Sequence, residues 1–298
     1  MVHGALTVPP RVPLTADVIV DAGDRLRLVV DTVAQVGEHP VWSAEERALY
    51  WIDVRAPALH RFDPRSGRQQ TWRMPEPIGS YALRRTGGAI VALKTGLFAV
   101  DLGRGAVEPL VDPEPDQPDN RLNDGKVSPD GRFFFGSMSE HVPRRATGAL
   151  YRYDPDGRCS RLADGYVVCN GLAWSPDGRT LYHSDSRACR IDAWDYDAAT
   201  GAIANRRRFA EPGEADGRPD GAATDADGCY WSAGVSAGCL NQFGPDGRLR
   251  RKWRLPIAQP TCVGFGGDDL RTLYITAIGG GLYAMDSDVA GVPVSLFG

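Results

Sequence analysis

The sequence predicts an all-β protein folded as a six-bladed β-propeller, and three observations support this fold class. Two kinds of short β-rich segment alternate along the chain. Each kind occurs six times, at a spacing of about 40–50 residues. No stretch of useful length has the hydrophobic period of a helix. Repeated four-stranded units of this kind bury a common core when they close into a ring.

The first kind of segment is a turn followed by an aromatic or apolar strand. Its copies are SAEERALYWID (43–53), RTGGAIVALK (85–94), SPDGRFFFGSM (128–138), SPDGRTLYHSD (175–185), DADGCYWSAG (225–234) and GGDDLRTLYITAI (266–278). The second kind is a strand closed by turn residues, as in LHRFDPRSG (59–67), LFAVDLGRG (97–105), LYRYDPDGR (150–158), IDAWDYDAATG (191–201), LNQFGPDGR (240–248) and LYAMDSD (282–288). Each pair of segments therefore predicts one blade with two hairpins.

The ends of the repeat predict how the ring closes. The segment RLRLVVDTV (25–33) belongs to none of the six units, and the last unit ends at VPVSLF (292–297). We therefore expect the N-terminal strand to complete the sixth blade. Residues 25–298 would then form a single domain, preceded by an extended lead-in at residues 1–24. Two β-sandwiches would not require a repeat that continues from residue 43 to residue 288.

Composition and charge exclude several classes of function. The 298 residues carry a formal net charge of −4, so no global field attracts nucleic acid or an anionic membrane. No apolar run is long enough to span a bilayer, and the N-terminus lacks the basic region of a secretory signal. The six cysteines show no C-x-x-C spacing, which favours reduced, buried thiols in a cytoplasmic protein. The sequence predicts no nucleic-acid or membrane partner and leaves the oligomeric state open.

One position in each unit is predicted to face the central channel, because the innermost strand of a propeller blade lines that channel. Counting back seven residues from the hairpin turn selects Glu38, Ser80, Asn123, Asn170 and Asp220 in the first five units, and Thr261 or Cys262 in the sixth. Asp220 therefore belongs to the loop that enters an inner strand, since the following turn, DADG (225–228), closes the hairpin.

Glu38, Asn123, Asn170 and Asp220 would bring two carboxylates and two amide oxygens together near the axis. Such a set suits one hard divalent cation, with Ca²⁺ favoured and Mg²⁺, Mn²⁺ or Zn²⁺ as alternatives. Without a cation the two carboxylates would repel each other, and one would take up a proton. The alternative interpretation is that these side chains cap strand ends and bind water in the channel.

Four motifs stand in order in four of the units: VGEHPVW (36–42), RLNDGKVSPDGR (121–132), CNGLAWSPDGRTLY (169–182) and RPDGAATDADGCYW (218–231). They resemble the regucalcin/gluconolactonase family, the senescence-marker-protein group of six-bladed lactonases, and the likeness covers about residues 33–297. The resemblance implies a metal-dependent carboxylic-ester hydrolase, gluconolactonase-like, whose partner is a small sugar-acid lactone. It implies that Glu38, Asn170 and Asp220 bind the metal, that Asp220 also serves as the acid/base residue, and that Arg121 and Asn123 contact the substrate.

The chain departs from the family pattern at two places. Family members usually carry a small residue after the metal-binding Glu, whereas this chain has His39. His141 stands where regucalcin itself has an acidic residue. The loop containing Glu140 and His141 touches the sugar in the family, so both are candidates for the pocket wall, and the identity of the lactone is not transferable. Arg121 has an alternative interpretation as a surface ion-pair partner.

In the implied reaction the cation polarises the lactone carbonyl, while Asp220 takes a proton from water and returns it to the leaving ring oxygen. Attack by a cation-bound water is an alternative, because coordination lowers the pKa of a carboxylate and weakens it as a base. A calcium-binding regulatory propeller without catalysis, and an esterase or phosphotriesterase of the same fold, are further alternatives. A serine hydrolase at GVSAG (234–238) is disfavoured, because Ser236 lies between two β-runs.

Overall fold

The computed structural model describes residues 18–298, and it confirms the six-bladed β-propeller. The strands form six sheets, five with four strands and one with five. Residues 1–17, most of the predicted lead-in, lie outside the described residues. The described chain begins with β1 (Val18–Asp21), a short 3-10 helix (Gly23–Arg25) and β2 (Arg27–Val30).

The six blades follow one another along the chain. Blade one contains β3 (Gly37–Ser43), β4 (Ala48–Asp53), β5 (Ala58–Phe62) and β6 (Gln69–Arg73). Blade two contains β7 (Ile78–Leu83), β8 (Ala89–Leu93), β9 (Gly96–Val100) and β10 (Val107–Val111). Blade three contains β11 (Asn120–Val127), β12 (Phe133–Ser139), β13 (Gly148–Tyr153) and β14 (Cys159–Tyr166).

The second half of the ring repeats this arrangement. Blade four contains β15 (Cys169–Trp174), β16 (Thr180–Asp185), β17 (Arg190–Asp197) and β18 (Ala202–Ala210). A second 3-10 helix (Glu214–Asp216) precedes blade five, which contains β19 (Pro219–Thr224), β20 (Tyr230–Gly234), β21 (Cys239–Phe243) and β22 (Leu249–Arg254). Blade six contains β23 (Pro260–Gly266), β24 (Thr272–Ala277) and β25 (Leu282–Asp286).

The predicted closure of the ring by an N-terminal strand is also confirmed. Strand β2 pairs antiparallel with β25, so that Arg27 lies opposite Ala284 and blade six gains its fourth strand. The other N-terminal strand, β1, pairs parallel with β22 at the outer edge of blade five. Residues 18–21, which fall within the predicted lead-in, are therefore part of a five-stranded sheet.

The hydrophobic core is divided into six clusters, one between each pair of neighbouring blades. Aromatic and β-branched side chains from facing sheets meet in every cluster, for example Phe134 and Trp174 between blades three and four. Their ring centroids lie 5.2 Å apart with an edge-to-face orientation. Each blade buries both faces against its neighbours, which leaves the central channel as the place where polar side chains can gather.

The C-terminal segment crosses the end of the channel where the inner strands finish. The backbone N–H of Val292 donates to the carbonyl of Thr224 in blade five at 2.9 Å. That of Phe297 donates to Leu83 in blade two at 2.8 Å, and that of Gly298 donates to Gly131 in blade three at 3.1 Å. This end of the ring is therefore tied together by backbone hydrogen bonds. Among residues 18–298 no single segment makes such bonds at the opposite end, where the inner strands begin, which is called the open end.

Two further sequence predictions can be compared with the described residues. All six cysteines are free, with Cys169, Cys239 and Cys262 buried and the other three partly exposed. Within residues 18–298 no helix has the length and apolar character needed to cross a membrane.

Candidate metal and active site

The residues selected by the repeat register all lie on the innermost strands of their blades. The first half of each inner strand holds the selected residue, which is Glu38 on β3, Ser80 on β7, Asn123 on β11, Asn170 on β15 and Asp220 on β19. Thr261 and Cys262 occupy the corresponding place on β23. The structure therefore brings one polar position from each blade to a common ring around the axis.

A β-bulge at the same place in every inner strand directs these side chains. In each blade the register between the first and second strands shifts at or beside the selected residue. The shift lies between Glu38 and Val41 in blade one, between Leu122 and Gly125 in blade three, and between Pro219 and Ala222 in blade five. The other three blades have the same irregularity. A bulge bends a strand and changes the direction of its side chains, and bulges are common beside active sites. The shared irregularity explains why a fixed count of residues finds equivalent positions.

A chain of amide and hydroxyl groups connects blades three, four and five. The Asn123 side-chain amide donates to Asn170 Oδ1 at 3.0 Å and to the Cys169 carbonyl at 2.8 Å. Asn170 Nδ2 donates to Ser186 Oγ at 2.7 Å, and that hydroxyl donates to the Pro219 carbonyl at 2.6 Å. These bonds hold the Asn170 side chain with its amide oxygen toward Asn123 and its amide nitrogen linked through Ser186 to the residue that precedes Asp220.

Glu38 and Asp220 form the acidic part of the site. Burial and the negative charge of Asp124 raise the pKa of Asp220 to about 8. Burial, followed by the charges of Asp220 and Asp124, also raises the pKa of Glu38 well above its usual range. Neither carboxylate forms an ion pair with a cationic side chain in the described part of the chain. The positive charge of Arg121 lowers both pKa values, and that of Arg218 lowers the pKa of Asp220, but burial and the nearby carboxylates outweigh them.

The donor set at the axis fits a hard divalent cation. Two carboxylates with raised pKa values, beside an amide oxygen held in place by a hydrogen bond, are the groups that Ca²⁺ and related ions bind. Among residues 18–298 no three His, Cys, Asp or Glu side chains are arranged to hold a metal. A cation at this place would therefore need Asn170 in addition to Glu38 and Asp220.

Arg121 connects the axis to the side of the channel mouth. Its Nη1 donates to Asn123 Oδ1 at 2.7 Å and to the Leu122 carbonyl at 2.9 Å, while Nε lies 3.4 Å from Glu140 Oε1. The side chain is only 9% exposed, and burial lowers the pKa of Arg121 to about 10. Arg121 does form the ion pair of the alternative interpretation, with Glu140, but it is buried and not a surface residue.

Glu140 and His141 lie beside the axis and not on it. The Glu140 carboxylate accepts a hydrogen bond from Arg55 at 2.9 Å and lies 3.4 Å from Lys94 Nζ. Partial burial acts to raise the pKa of Glu140, but the charges of Arg121, Arg55 and Lys94 hold it below its usual value. His141 Nδ1 lies 2.8 Å from the carbonyl of Pro143 in its own loop. Both residues line an open cavity of about 470 Å³ together with Val142, Arg144, Val167 and Arg187.

A second polar layer, below the first, was missed by the sequence analysis. His39 Nδ1 lies 3.3 Å from Asp124 Oδ1, and Asp124 Oδ2 accepts a hydrogen bond from the Leu172 backbone at 3.1 Å. Lys126, also buried, donates to the Ala222 carbonyl. Strict alternation along β11 places Asn123 and Asp124 on opposite faces, whereas the bulge brings both toward the axis. The NDGK run held the necessary residues, but alternation alone could not reveal their position.

His39 occupies a strained backbone position. Its φ of 56° is in the left-handed region, as is that of Gly171, which follows Asn170 in blade four. The histidine ring is 2% exposed and packs edge-on against Tyr81, with ring centroids 4.9 Å apart. The departure from a small residue noted in the sequence therefore adds a buried ring that supports Asp124.

The other register positions and the rival serine have structural roles. Ser80 Oγ donates to the Asn123 carbonyl at 2.7 Å, and Thr261 Oγ1 donates to the Gly37 carbonyl. Cys262 packs against Gly221, where an added Cβ would come within 2.2 Å of its sulfur. Ser236 lies in the turn between β20 and β21, and its Oγ accepts the Arg218 backbone N–H at 2.9 Å. That turn has no helix after it, so the serine-hydrolase interpretation is wrong.

Known proteins share both the sequence and the fold of this chain. A 6-deoxy-6-sulfogluconolactonase from Pseudomonas putida is 42% identical over 256 residues, which cover 85% of this chain and 87% of that protein. Regucalcin from Xenopus laevis is 36% identical over 269 residues, with 89% of each chain covered. The structure of a calcium-binding protein, regucalcin, from Agrobacterium tumefaciens superposes with a TM-score of 0.88 at 26% identity, covering 94% of this chain and 99% of that one.

The sequence pattern of the SMP-30/gluconolactonase/LRE-like region matches residues 36–279, which includes all six register positions at the axis. The match covers most of the chain and agrees with the resemblance of the four motifs. The protein belongs to the SMP-30/gluconolactonase/LRE-like family.

Proposed function

We propose that the protein is a metal-dependent hydrolase that opens the ring of a sugar-acid lactone. The observation that carries the proposal is the pair of axial carboxylates, Glu38 and Asp220, with raised pKa values and no ion pair from the described chain. A purely structural propeller has no need to place two such groups beside Asn170 and Arg121. The predicted class of enzyme, a carboxylic-ester hydrolase of the lactonase type, agrees with the family and with the name of the Pseudomonas putida relative.

Glu38, Asn170 and Asp220 would hold the cation, and we propose Ca²⁺ because all three offer oxygen donors. The similarity to proteins named regucalcin, one of them described as calcium-binding, supports the same choice. When bound, the cation would polarise the lactone carbonyl, stabilise the oxyanion and favour the ionised forms of both carboxylates.

Asp220 is the proposed acid/base residue. Its carboxylate accepts a proton from the attacking water as the water oxygen bonds to the carbonyl carbon. The C–O bond of the ring then breaks, and the leaving ring oxygen takes that proton from Asp220. The product is the open-chain sugar acid, and the carboxylate of Asp220 is regenerated.

Arg121 and Asn123 are the proposed substrate contacts. Arg121 is buried and is held by Asn123 Oδ1 and the Leu122 carbonyl, so its guanidinium is preorganised at the open end of the channel. Sugar hydroxyls that reach this position would find a donor without further ordering of the side chain. Glu140 and His141 are proposed to form the wall of the pocket beside them.

The test is hydrolysis of five- and six-carbon aldonolactones by the purified protein, corrected for spontaneous ring opening. We expect turnover to stop after treatment with EDTA and to return on addition of one of Ca²⁺, Mg²⁺, Mn²⁺ or Zn²⁺. The Ser236→Ala variant should retain full activity, because its hydroxyl only accepts a backbone hydrogen bond. Binding of Ca²⁺ without hydrolysis of any lactone would contradict the proposal and favour a regulatory propeller. An aryl ester and a phosphotriester in the same panel test the esterase and phosphotriesterase alternatives.

A further inference from the structure

The open cavity beside the axis carries an excess of positive charge. Its wall includes Arg144 and Arg187, and Arg121 forms the boundary with the axial site. Arg55, Lys94 and Arg121 pair with Glu140, and the charge of Glu140 also acts on Arg144. Arg187 interacts with Arg144, so five cations share this region with one carboxylate.

Glu140 forms ion pairs with only three of these five cations, namely Arg55, Lys94 and Arg121. Arg144 donates to the Ser139 carbonyl, and neither Arg144 nor Arg187 forms an ion pair with a carboxylate among residues 18–298. These two arginines therefore line the cavity without an ion pair of their own.

The positive charges of Arg144 and Arg187 repel each other, and a bound anion would offset this repulsion. Partial burial, together with the positive charge of Arg187, lowers the pKa of Arg144. Planar guanidinium groups bind carboxylate, phosphate and sulfonate oxygens through paired N–H donors, and a charge-assisted bond of this kind is stronger than one to a hydroxyl. The Asp185 carboxylate lies beside Arg187, but it accepts backbone N–H groups of Val167, Val168 and Arg187 itself and forms no ion pair with the Arg187 side chain.

We infer that this cavity binds a negatively charged group on the substrate, so that the enzyme selects lactones with an anionic substituent remote from the ring carbonyl. Arg144 and Arg187 bind the oxygens of that substituent, and Arg121 lies between it and the axis. The inference rests on the proposed lactonase function for the reaction, but the anion site itself depends only on the arginines around the cavity.

The first test compares kcat/KM for glucono-δ-lactone with kcat/KM for the same lactone carrying a 6-phosphate or a 6-sulfonate. We expect the wild-type protein to prefer the anionic lactones by about tenfold or more. Arg187→Gln and Arg144→Gln should each reduce this preference by about tenfold, chiefly through a higher KM for the anionic substrate. Arg145→Gln is the matched control, because it removes an exposed arginine from the same loop that does not line the cavity.

The second test measures binding and does not require turnover. Calorimetry should show that 6-phosphogluconate binds the wild-type protein more tightly than gluconate, and that Arg187→Gln removes most of the difference. If lactones are hydrolysed but the anionic forms are not preferred, the anion site is wrong while the proposed function holds. If no lactone is hydrolysed but 6-phosphogluconate still binds through Arg187, the proposed function is wrong and the anion site holds. Equal loss of the neutral and anionic substrates in the Arg187 and Arg144 variants would also overturn the inference.

Discussion

The axial pair of carboxylates and the single carboxylate of Glu140 lie at the same mouth of the channel, and their surroundings shift their pKa values in opposite directions. At the axis, the half-buried Glu38 and the buried Asp220 lie near Asp124 with no ion pair from the described chain, and their pKa values rise. At the side, Glu140 is surrounded by Arg55, Lys94 and Arg121, and its pKa falls. Arg121 separates the two groups.

The difference shows how one pocket can hold two kinds of chemistry. The axial pair is short of positive charge, which suits it to a cation and to the exchange of protons. The group around Glu140 has an excess of positive charge, which suits it to an anion. Stability should respond to pH with opposite signs at the two places, and this offers a way to test them separately.

The largest effect is expected from Asp220→Asn, which keeps the shape of the side chain but removes the proton acceptor. We expect kcat/KM for the best lactone to fall by about 10²- to 10⁴-fold, the usual contribution of a general base. Steady-state kinetics with the Ser236→Ala protein as a control would measure it. Retention of more than a tenth of the activity would mean that Asp220 is not the base.

The second effect concerns the stability of the metal-free protein. Because the pKa of Asp220 rises from the usual value of about 4 to about 8 on folding, the native state binds more protons than the unfolded state between these pH values. Stability should therefore fall as pH rises through this range. At pH 8.5, Asp220→Asn should be more stable than the metal-free wild type by on the order of 2 kcal/mol, with a smaller gap at pH 5.

Denaturant unfolding in EDTA would measure this difference. Saturation with the cation should reverse the order of the two proteins, because only the wild type retains the full set of ligands. A wild type that becomes more stable between pH 5 and pH 8.5 without metal would contradict the raised pKa at the axis.

The smallest effect is expected from Glu140→Gln, which leaves three cations without their shared carboxylate. We expect a loss of about 0.5–1.5 kcal/mol at pH 7, the range for a partly exposed charged hydrogen bond. The lowered pKa of Glu140 means that its contribution is present above the usual pKa of a glutamate and is lost as pH falls through the folded value. Thermal unfolding at pH 7 and pH 3.5 would show this, with the exposed Glu45→Gln as control. An equal difference at both pH values would contradict the ion-pair explanation.

The sequence was sufficient to predict the fold because the propeller repeats the same local pattern. Turn residues and strand composition recur in every blade, and the count of seven from turn to channel works because each inner strand has its bulge at the same place. Closure by residues 25–33 followed from a strand that had no unit of its own.

Interactions between blades could not be predicted in the same way. The contact of His39 with Asp124 joins blades one and three, and the ion pairs of Glu140 with Arg55 and Lys94 join three different blades. No local pattern specifies such contacts, because they depend on how far long side chains reach across the channel. The charge excess around the cavity is a property of this assembly and not of any one motif.

The pairing of β2 with β25 has a consequence for the order in which the molecule can assemble during synthesis. Arg27 leaves the ribosome early, yet its partner Ala284 is made only after five complete blades. Until then β2 lacks its partner strand. Once β25 has been made, its edge stays open to pairing with other chains until β2 binds to it. Contacts so distant in sequence slow folding, so ring closure is the step at which a nascent chain is most exposed to aggregation.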